Sequence, residues 1–123
     1  MKKIFVFVLF FLFCLVSFAQ HAEADGRGNI KTYNEKGRLI KTAHITNVYI
    51  LDYNAYVVFL VRAGDILEVR SWDLKYIKSI HVPNIVHMSA SPNGVIVLCA
   101  TSKADVTKRK MYDNNLRLIK ELR

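Results

Sequence analysis

Short apolar, β-branched runs alternate with polar turn residues along most of this chain, from residue 30 to its end. This alternation is typical of β-strands joined by tight turns. Beyond residue 19, no apolar spacing sustains a helix over three turns, so the pattern predicts an all-β domain. The predicted strands cover residues 30–33, 38–42, 48–51, 56–62, 67–72, 76–80, 85–89, 95–101, 107–112 and 116–122.

The turn signals are densest between residues 69 and 94. Trp72-Asp73 follows one predicted strand, and the Ser-Pro-Asn-Gly sequence of residues 91–94 separates two others. Pro92 presets the φ angle of its turn, and the Asn or Gly after it accepts the left-handed position. These signals predict a meander in which each strand pairs with the next one along the chain.

The first segment has the layout of a secretory signal peptide. A positive start at Lys2 and Lys3 precedes an apolar run, and small residues Ser17 and Ala19 stand before a cleavage point at Gln20. The alternative is a retained anchor, but the run is shorter than the roughly 20 residues that a membrane-spanning helix needs. We therefore expect a signal helix at 1–19, a flexible lead-in at 20–28 and a domain at 29–123. Membrane contact would come only from an uncleaved first segment.

The cysteines predict no disulfide in the processed chain. Cys14 would leave with the signal peptide, and Cys99 lies alone in an apolar run, where a buried structural thiol is favoured. Export without disulfides is compatible with a secreted or cell-envelope location, the periplasm if the source is bacterial.

The charge balance favours acidic partners. Loss of Lys2 and Lys3 lowers the formal net charge from +8 to +6. The densest positive cluster, Lys108-Arg109-Lys110, falls in a predicted strand, where side chains alternate between faces. No basic groove with interleaved aromatic residues is visible, so nucleic-acid binding is not expected.

A repeat of about 40 residues underlies the strand pattern. Tyr33, Trp72 and Tyr112 are 39 and 40 residues apart, and each precedes a turn and a basic, apolar strand. The sequence from His44 to Asn47 also matches the sequence from His81 to Asn84 after a shift of 37. Such a period, with four strands per unit, is typical of β-propeller blades.

Residues 81–94 and the Trp72-Asp73 pair resemble the WD40 repeat in order and spacing. The resemblance implies a structural hydrogen-bond network in each blade, in which an Asp in a tight turn binds a His and supports the Trp. Transferred to matching positions, it implies two networks. They comprise Asp65 with His44 and Trp72, and Asp105 with His81 and Tyr112. Ile80 and Tyr112 depart from the usual Gly and Trp.

No motif for chemistry accompanies the repeat. The sequence has no Gly-rich phosphate loop before a helix and no Gly-x-Ser-x-Gly elbow, and His87 has no partner at chelating spacing. The Asp residues fall at predicted turns, where their carboxylates bind backbone amides. We therefore expect no catalytic residue, cofactor or metal.

The length covers only two and a fraction periods, whereas propellers typically have 4–8 blades. Such a stack leaves apolar faces and strand edges uncovered. The chain is therefore interpreted as a fragment of a longer propeller or as a unit that assembles with copies or partners; a small sandwich is the third option. The predicted function is an exported, non-catalytic interaction module that binds a protein partner or itself. The alternatives are a ligand-binding or enzymatic propeller fragment and a degenerate remnant.

Overall fold

The computed structural model describes residues 20–101 and 107–122. The predicted signal segment at 1–19 and Asp105 lie outside these ranges. The described residues form antiparallel β-sheets, which confirms the all-β prediction. The strands are β1 (His21–Ala24), β2 (Asn29–Tyr33), β3 (Leu39–His44), β4 (Val48–Tyr53), β5 (Val58–Arg62), β6 (Ile66–Arg70), β7 (Tyr76–His81), β8 (Ile85–Ser91), β9 (Gly94–Ala100), β10 (Thr107–Asp113) and β11 (Leu118–Leu122).

The strands form three consecutive meanders. Sheet 1 contains β1 to β3, sheet 2 contains β4 to β7, and sheet 3 contains β8 to β11. Sheets 2 and 3 confirm the predicted four-stranded units, whereas sheet 1 has three strands in the described part of the chain.

The prediction of a flexible lead-in at residues 20–28 is wrong, because β1 lies within it. This strand pairs with β2, and Ala22 stands opposite Thr32. Ala22 is 4% exposed and joins the core between sheets 1 and 2. The strand was missed because only small Ala side chains alternate with His21 and Glu23, which leaves no strong apolar signal.

Sheet 2 is the middle layer, with both faces buried. Phe59 and Val61 pack in one hydrophobic cluster with residues of sheet 3. Val58 and Leu60 pack in the other cluster with residues of sheet 1. A strand covered on both faces is apolar at successive positions and does not alternate, as the first four residues of β5 show.

Equivalent turns precede the last strand of each sheet and correct the predicted register. Asn34, Ser71 and Asp113 each donate a backbone N–H to the carbonyl of the residue four positions later. These residues are 37 and 42 positions apart, so the repeat is not the uniform 39 to 40 inferred from the aromatic residues. Strand β6 ends at Arg70, and Trp72 lies in the turn and not at the strand end.

The connections between sheets confirm the predicted shift of 37. Ile45 and Val82 are equivalent buried residues that donate N–H bonds to Gly28 and Asp65. Asn47 and Asn84 adopt positive φ angles of 60° and 63°. Asn tolerates this left-handed conformation better than most residues, which explains its recurrence at this position.

Gly94 is where side-chain size limits the packing of β9 on β10. Its φ is +154°, and an added Cβ would overlap the carbonyl oxygen of Tyr112. We expect Gly94→Ala to lower the free energy of unfolding by roughly 3 kcal/mol or more, because the backbone of β10 must shift. Denaturant titration of the purified chain measures this loss.

Gly64→Ala is the matched control. Gly64 has a φ of +85°, but nothing lies within 4 Å of its added Cβ. This change should therefore cost only about 1 kcal/mol, from backbone conformation alone. Equal losses in the two variants would contradict the assignment of a close contact at Gly94.

Candidate interaction surface

The structure separates the residues of the predicted blade network. Asp65 and Trp72 lie at opposite ends of β6, because one precedes the strand and the other follows it. An extended strand of five residues spans about 17 Å, so their side chains cannot share a hydrogen bond. His44 instead contacts Asn29 Oδ1 through Nδ1 at 3.3 Å.

The remaining network residues have separate surroundings. The indole Nε1–H of Trp72 donates to the Asn54 carbonyl at 3.2 Å, and the Trp72 carbonyl accepts from Thr32 Oγ1 at 2.6 Å. His81 is exposed at the end of β7, and Tyr112 is buried among apolar side chains. Trp72 therefore links sheet 1 to sheet 2, which is a structural role different from the predicted one.

Asn54 links sheet 2 to sheet 3. Its Nδ2 donates to the Ser91 carbonyl at 2.8 Å and to Asn114 Oδ1 at 2.7 Å. Its Oδ1 accepts the backbone N–H groups of Tyr56 and Val57. Asn54 falls between the predicted strands 48–51 and 56–62, but its partners in sheet 3 could not be read from local sequence.

A buried ion cluster lies on sheet 2. Glu68 is 3% exposed and accepts from Arg70 Nε at 2.7 Å and from Arg62 Nη1 at 3.3 Å. Arg70 also donates to the Leu74 carbonyl at 2.9 Å, and Arg62 donates to the Thr46 carbonyl at 3.2 Å. Each charged group of the cluster is therefore paired, and these contacts hold the ends of β5 and β6 in place.

A second set of residues recurs on the outside of the sheets. The last strand of each sheet begins with an apolar pair between two cations. We call these three equivalent segments the rim surface: residues 38–41 (Arg-Leu-Ile-Lys), 75–78 (Lys-Tyr-Ile-Lys) and 117–120 (Arg-Leu-Ile-Lys). All twelve residues are exposed.

A register irregularity lies at each of the three isoleucines. Thr32 pairs with Lys41 and Tyr33 with Leu39, so Ile40 is the extra residue of a bulge. The same irregularity leaves out Ile77 in β7 and Ile119 in β11. These isoleucines are 38%, 44% and 54% exposed.

The rim surface carries the net charge of residues 20–123. Eighteen Lys and Arg, less Lys2 and Lys3, leave sixteen cations against ten Asp and Glu. Six of the sixteen belong to the rim surface, which contains no acidic residue, and the remaining ten cations balance the ten acids. Outside this surface, residues 20–123 therefore have no net formal charge.

Cations of the rim surface lower the pKa of carboxylates in the turns that precede it. The hydroxyl of Ser71 holds the pKa of Asp73 below its usual value, and the charges of Lys75 and Lys41 lower it further. Lys41 belongs to sheet 1, whereas Asp73 belongs to sheet 2. Backbone donors, chiefly Arg117, likewise lower the pKa of Asp113 in sheet 3, and Lys78 of sheet 2 adds to the effect. Cations of one sheet thus act on carboxylates in a turn of the next sheet.

The turns that lead into the rim surface are fixed by buried leucines. Leu74 and Leu116 adopt φ angles of 62° and 58°, yet they are only 4% and 3% exposed. A left-handed conformation is unfavourable for Leu, and burial of the side chain offsets this cost. Gly37 occupies the equivalent place in sheet 1, with a φ of 75°.

The described residues offer little for metal or thiol chemistry. Within 20–101 and 107–122, no group of three or more His, Cys, Asp or Glu could hold a metal ion. Cys99 is buried as predicted, and burial raises the pKa of its thiol, which keeps it protonated and unreactive. The same ranges contain no helix with the length and hydropathy that crossing a bilayer requires.

Two solved structures share the arrangement of the sheets. BamB from Moraxella catarrhalis is 8% identical, with a TM-score of 0.59 over 87% of this chain. The computationally designed Ika8 protein is 20% identical, with a TM-score of 0.55 over 83% of this chain. The fold is propeller-like. No protein-family model matches the chain, and no curated protein matches its sequence.

The propeller-like chain spans only about a third of either structure, namely 34% of BamB and 32% of Ika8. At these identities the likeness concerns the fold alone. In a propeller, sheets radiate from a central axis. The last strands, and with them the rim surface, therefore lie on the convex outer side.

Acid should weaken the turns that position the rim surface. The Asp113 carboxylate accepts backbone N–H bonds from Asn115 and Arg117 at 2.8 and 2.9 Å, and its pKa lies below the usual 3.8. A carboxylate with a lowered pKa in the folded state stabilises the fold above its unfolded-state pKa. This stability is lost as pH falls through the lower, folded-state value. We expect the melting temperature to fall below about pH 4.

Asp113→Asn separates this effect from general acid denaturation. The amide oxygen can still accept the two hydrogen bonds but cannot be protonated in this range, so the acid-induced fall in melting temperature should become smaller. Glu35→Gln is the control, because the Glu35 side chain is exposed and has no hydrogen bond among the described residues. Identical acid profiles for both variants would contradict a stabilising role of the ionised Asp113.

Proposed function

We propose that this chain is an exported, non-catalytic, propeller-type interaction module that binds a protein partner through its rim surface. One observation supports this most strongly: an apolar pair between two cations recurs in an exposed place on three successive sheets. Exposed apolar groups that recur together are typical of interaction sites. A purely structural repeat would keep its recurring apolar residues inside, as the apolar residues of β5 are.

The WD40-like character of the repeat stays a prediction. The order of residues 81–94 supports it, whereas the positions of Asp65 and Trp72 at opposite ends of β6 do not. The interaction proposal does not depend on it, because the rim surface was identified from exposure, bulges and charge.

Export can be tested by the mass of the processed protein. If residues 1–19 are a signal peptide, expression in a host with a secretory pathway should yield a chain that begins at Gln20. Intact-mass measurement of the exported fraction checks this. Recovery of the full-length chain from washed membranes would contradict cleavage and favour the retained anchor.

Partner binding can be tested with matched apolar variants. The test variant replaces the bulged residues Ile40, Ile77 and Ile119 with Gln. We expect it to lose at least about tenfold in captured partner from an envelope extract, since each isoleucine buries apolar surface on binding. Quantitative mass spectrometry of the captured proteins measures the loss.

The control removes three other exposed apolar side chains, those of Tyr49, Tyr56 and Val86, which are 73%, 66% and 56% exposed. Replacing them with Gln leaves the rim surface unchanged, so capture should persist. Both variants must keep the wild-type melting temperature. Equal capture by wild type and the test variant would overturn the assignment of the rim surface.

A further inference from the structure

We infer that the partner presents an acidic, extended segment with apolar or aromatic side chains between its carboxylates, and that this segment crosses the rim surface from sheet to sheet. This inference rests on the proposed function, since it specifies the chemistry of the same surface.

Charge complementarity selects an acidic partner. The six rim cations are all exposed, and the rest of residues 20–123 is neutral. Internal acids neutralise little of this charge. Lys75 contacts Asp73 at 3.7 Å, but their side chains are 82% and 49% exposed, so the pair is weak. Glu121 contacts Lys108 at 3.5 Å, and Lys108 lies outside the rim surface.

The apolar pairs require apolar groups on the partner in addition to its carboxylates. In each segment the two apolar residues stand between the cations, and Leu39, Tyr76 and Leu118 are 55%, 57% and 55% exposed. A partner with carboxylates alone would leave these side chains in water. Acidic groups spaced by aromatic or aliphatic side chains would match both parts of every segment.

The geometry of the last strands disfavours strand addition. A new strand needs a regular row of free backbone groups along an edge. The bulges at Ile40, Ile77 and Ile119 interrupt the regular geometry of β3, β7 and β11, and the adjacent lysines are typical of protected edges. The partner is therefore held by side chains and not by sheet extension.

The curvature of the surface favours a flexible chain over a membrane. The three segments lie on the last strands of three successive sheets, and in a propeller-like fold the last strands of the blades follow a convex outer edge. A flat bilayer would meet one or two of the segments at a time. An extended polypeptide can follow the curve and contact all three, which raises the effective affinity by linkage.

The test uses the processed chain and three defined probes. These are poly-glutamate, a random copolymer of glutamate and tyrosine of similar length, and phosphatidylserine-containing vesicles. Binding is measured by fluorescence anisotropy for the polymers and by sedimentation for the vesicles, at about 0.1 M salt. We expect the copolymer to bind at least about tenfold more tightly than poly-glutamate, and the vesicles to bind weakly.

Two pairs of variants measure the apolar and the charged contributions to polymer binding separately. Replacing Ile40, Ile77 and Ile119 with Gln should reduce copolymer affinity to the poly-glutamate level, whereas the Tyr49, Tyr56 and Val86 control should leave it unchanged. Replacing Lys78 and Lys120 with Gln should weaken both polymers by about tenfold. The charge-matched control replaces Arg27 and Arg109, which are exposed outside the rim surface, and should have a smaller effect.

Distinct results would overturn the inference. Equal affinity for both polymers would show that the apolar pairs make no contribution. Stronger binding to vesicles than to the copolymer would assign the surface to anionic lipid. If the copolymer does not bind but a partner is still captured through the three isoleucines, the acidic segment is rejected. The proposed function would then stand. If the chain neither binds the copolymer nor captures a partner through the isoleucines, the inference and the proposed function are both rejected.

Discussion

The packing of sheet on sheet is the constraint on which this structure depends. No sheet encloses a core by itself: sheet 2 needs sheet 1 on one face and sheet 3 on the other. Val58 and Phe59 are adjacent in β5, point to opposite faces and are both fully buried. Burial of apolar surface on both faces of one strand links the three meanders into a single folding unit.

The polar contacts then fix how the sheets align. Thr32 reaches the Trp72 carbonyl across the first junction, and Asn54 reaches Ser91 across the second. Each contact joins residues at least 37 positions apart in sequence. Apolar packing is not directional, whereas hydrogen bonds are, so these few side chains set the register between layers.

The rim surface is a consequence of the same repeat. A buried Leu or a Gly in left-handed conformation ends each turn, and a bulge follows within three residues. The isoleucines at the bulges and the cations that flank them are exposed. The outward face of sheet 3 differs in character, because Ile96 and Leu98 alternate with the core residues of β9 and remain only partly exposed. Among the described residues, the rim surface thus combines exposed apolar side chains with a concentration of cations.

The sequence by itself determined the all-β class, the strand order, most turns, the buried Cys99 and the shift of 37 between the two connections, because alternating polarity and turn residues act locally. Tertiary structure decided the rest. It buried Ala22 and so made a strand of a polar segment, placed Trp72 in a turn apart from Asp65, and placed Ile40 at a bulge. Each of these depends on contacts between residues distant in sequence or on a register shift between paired strands, which local residue patterns do not encode.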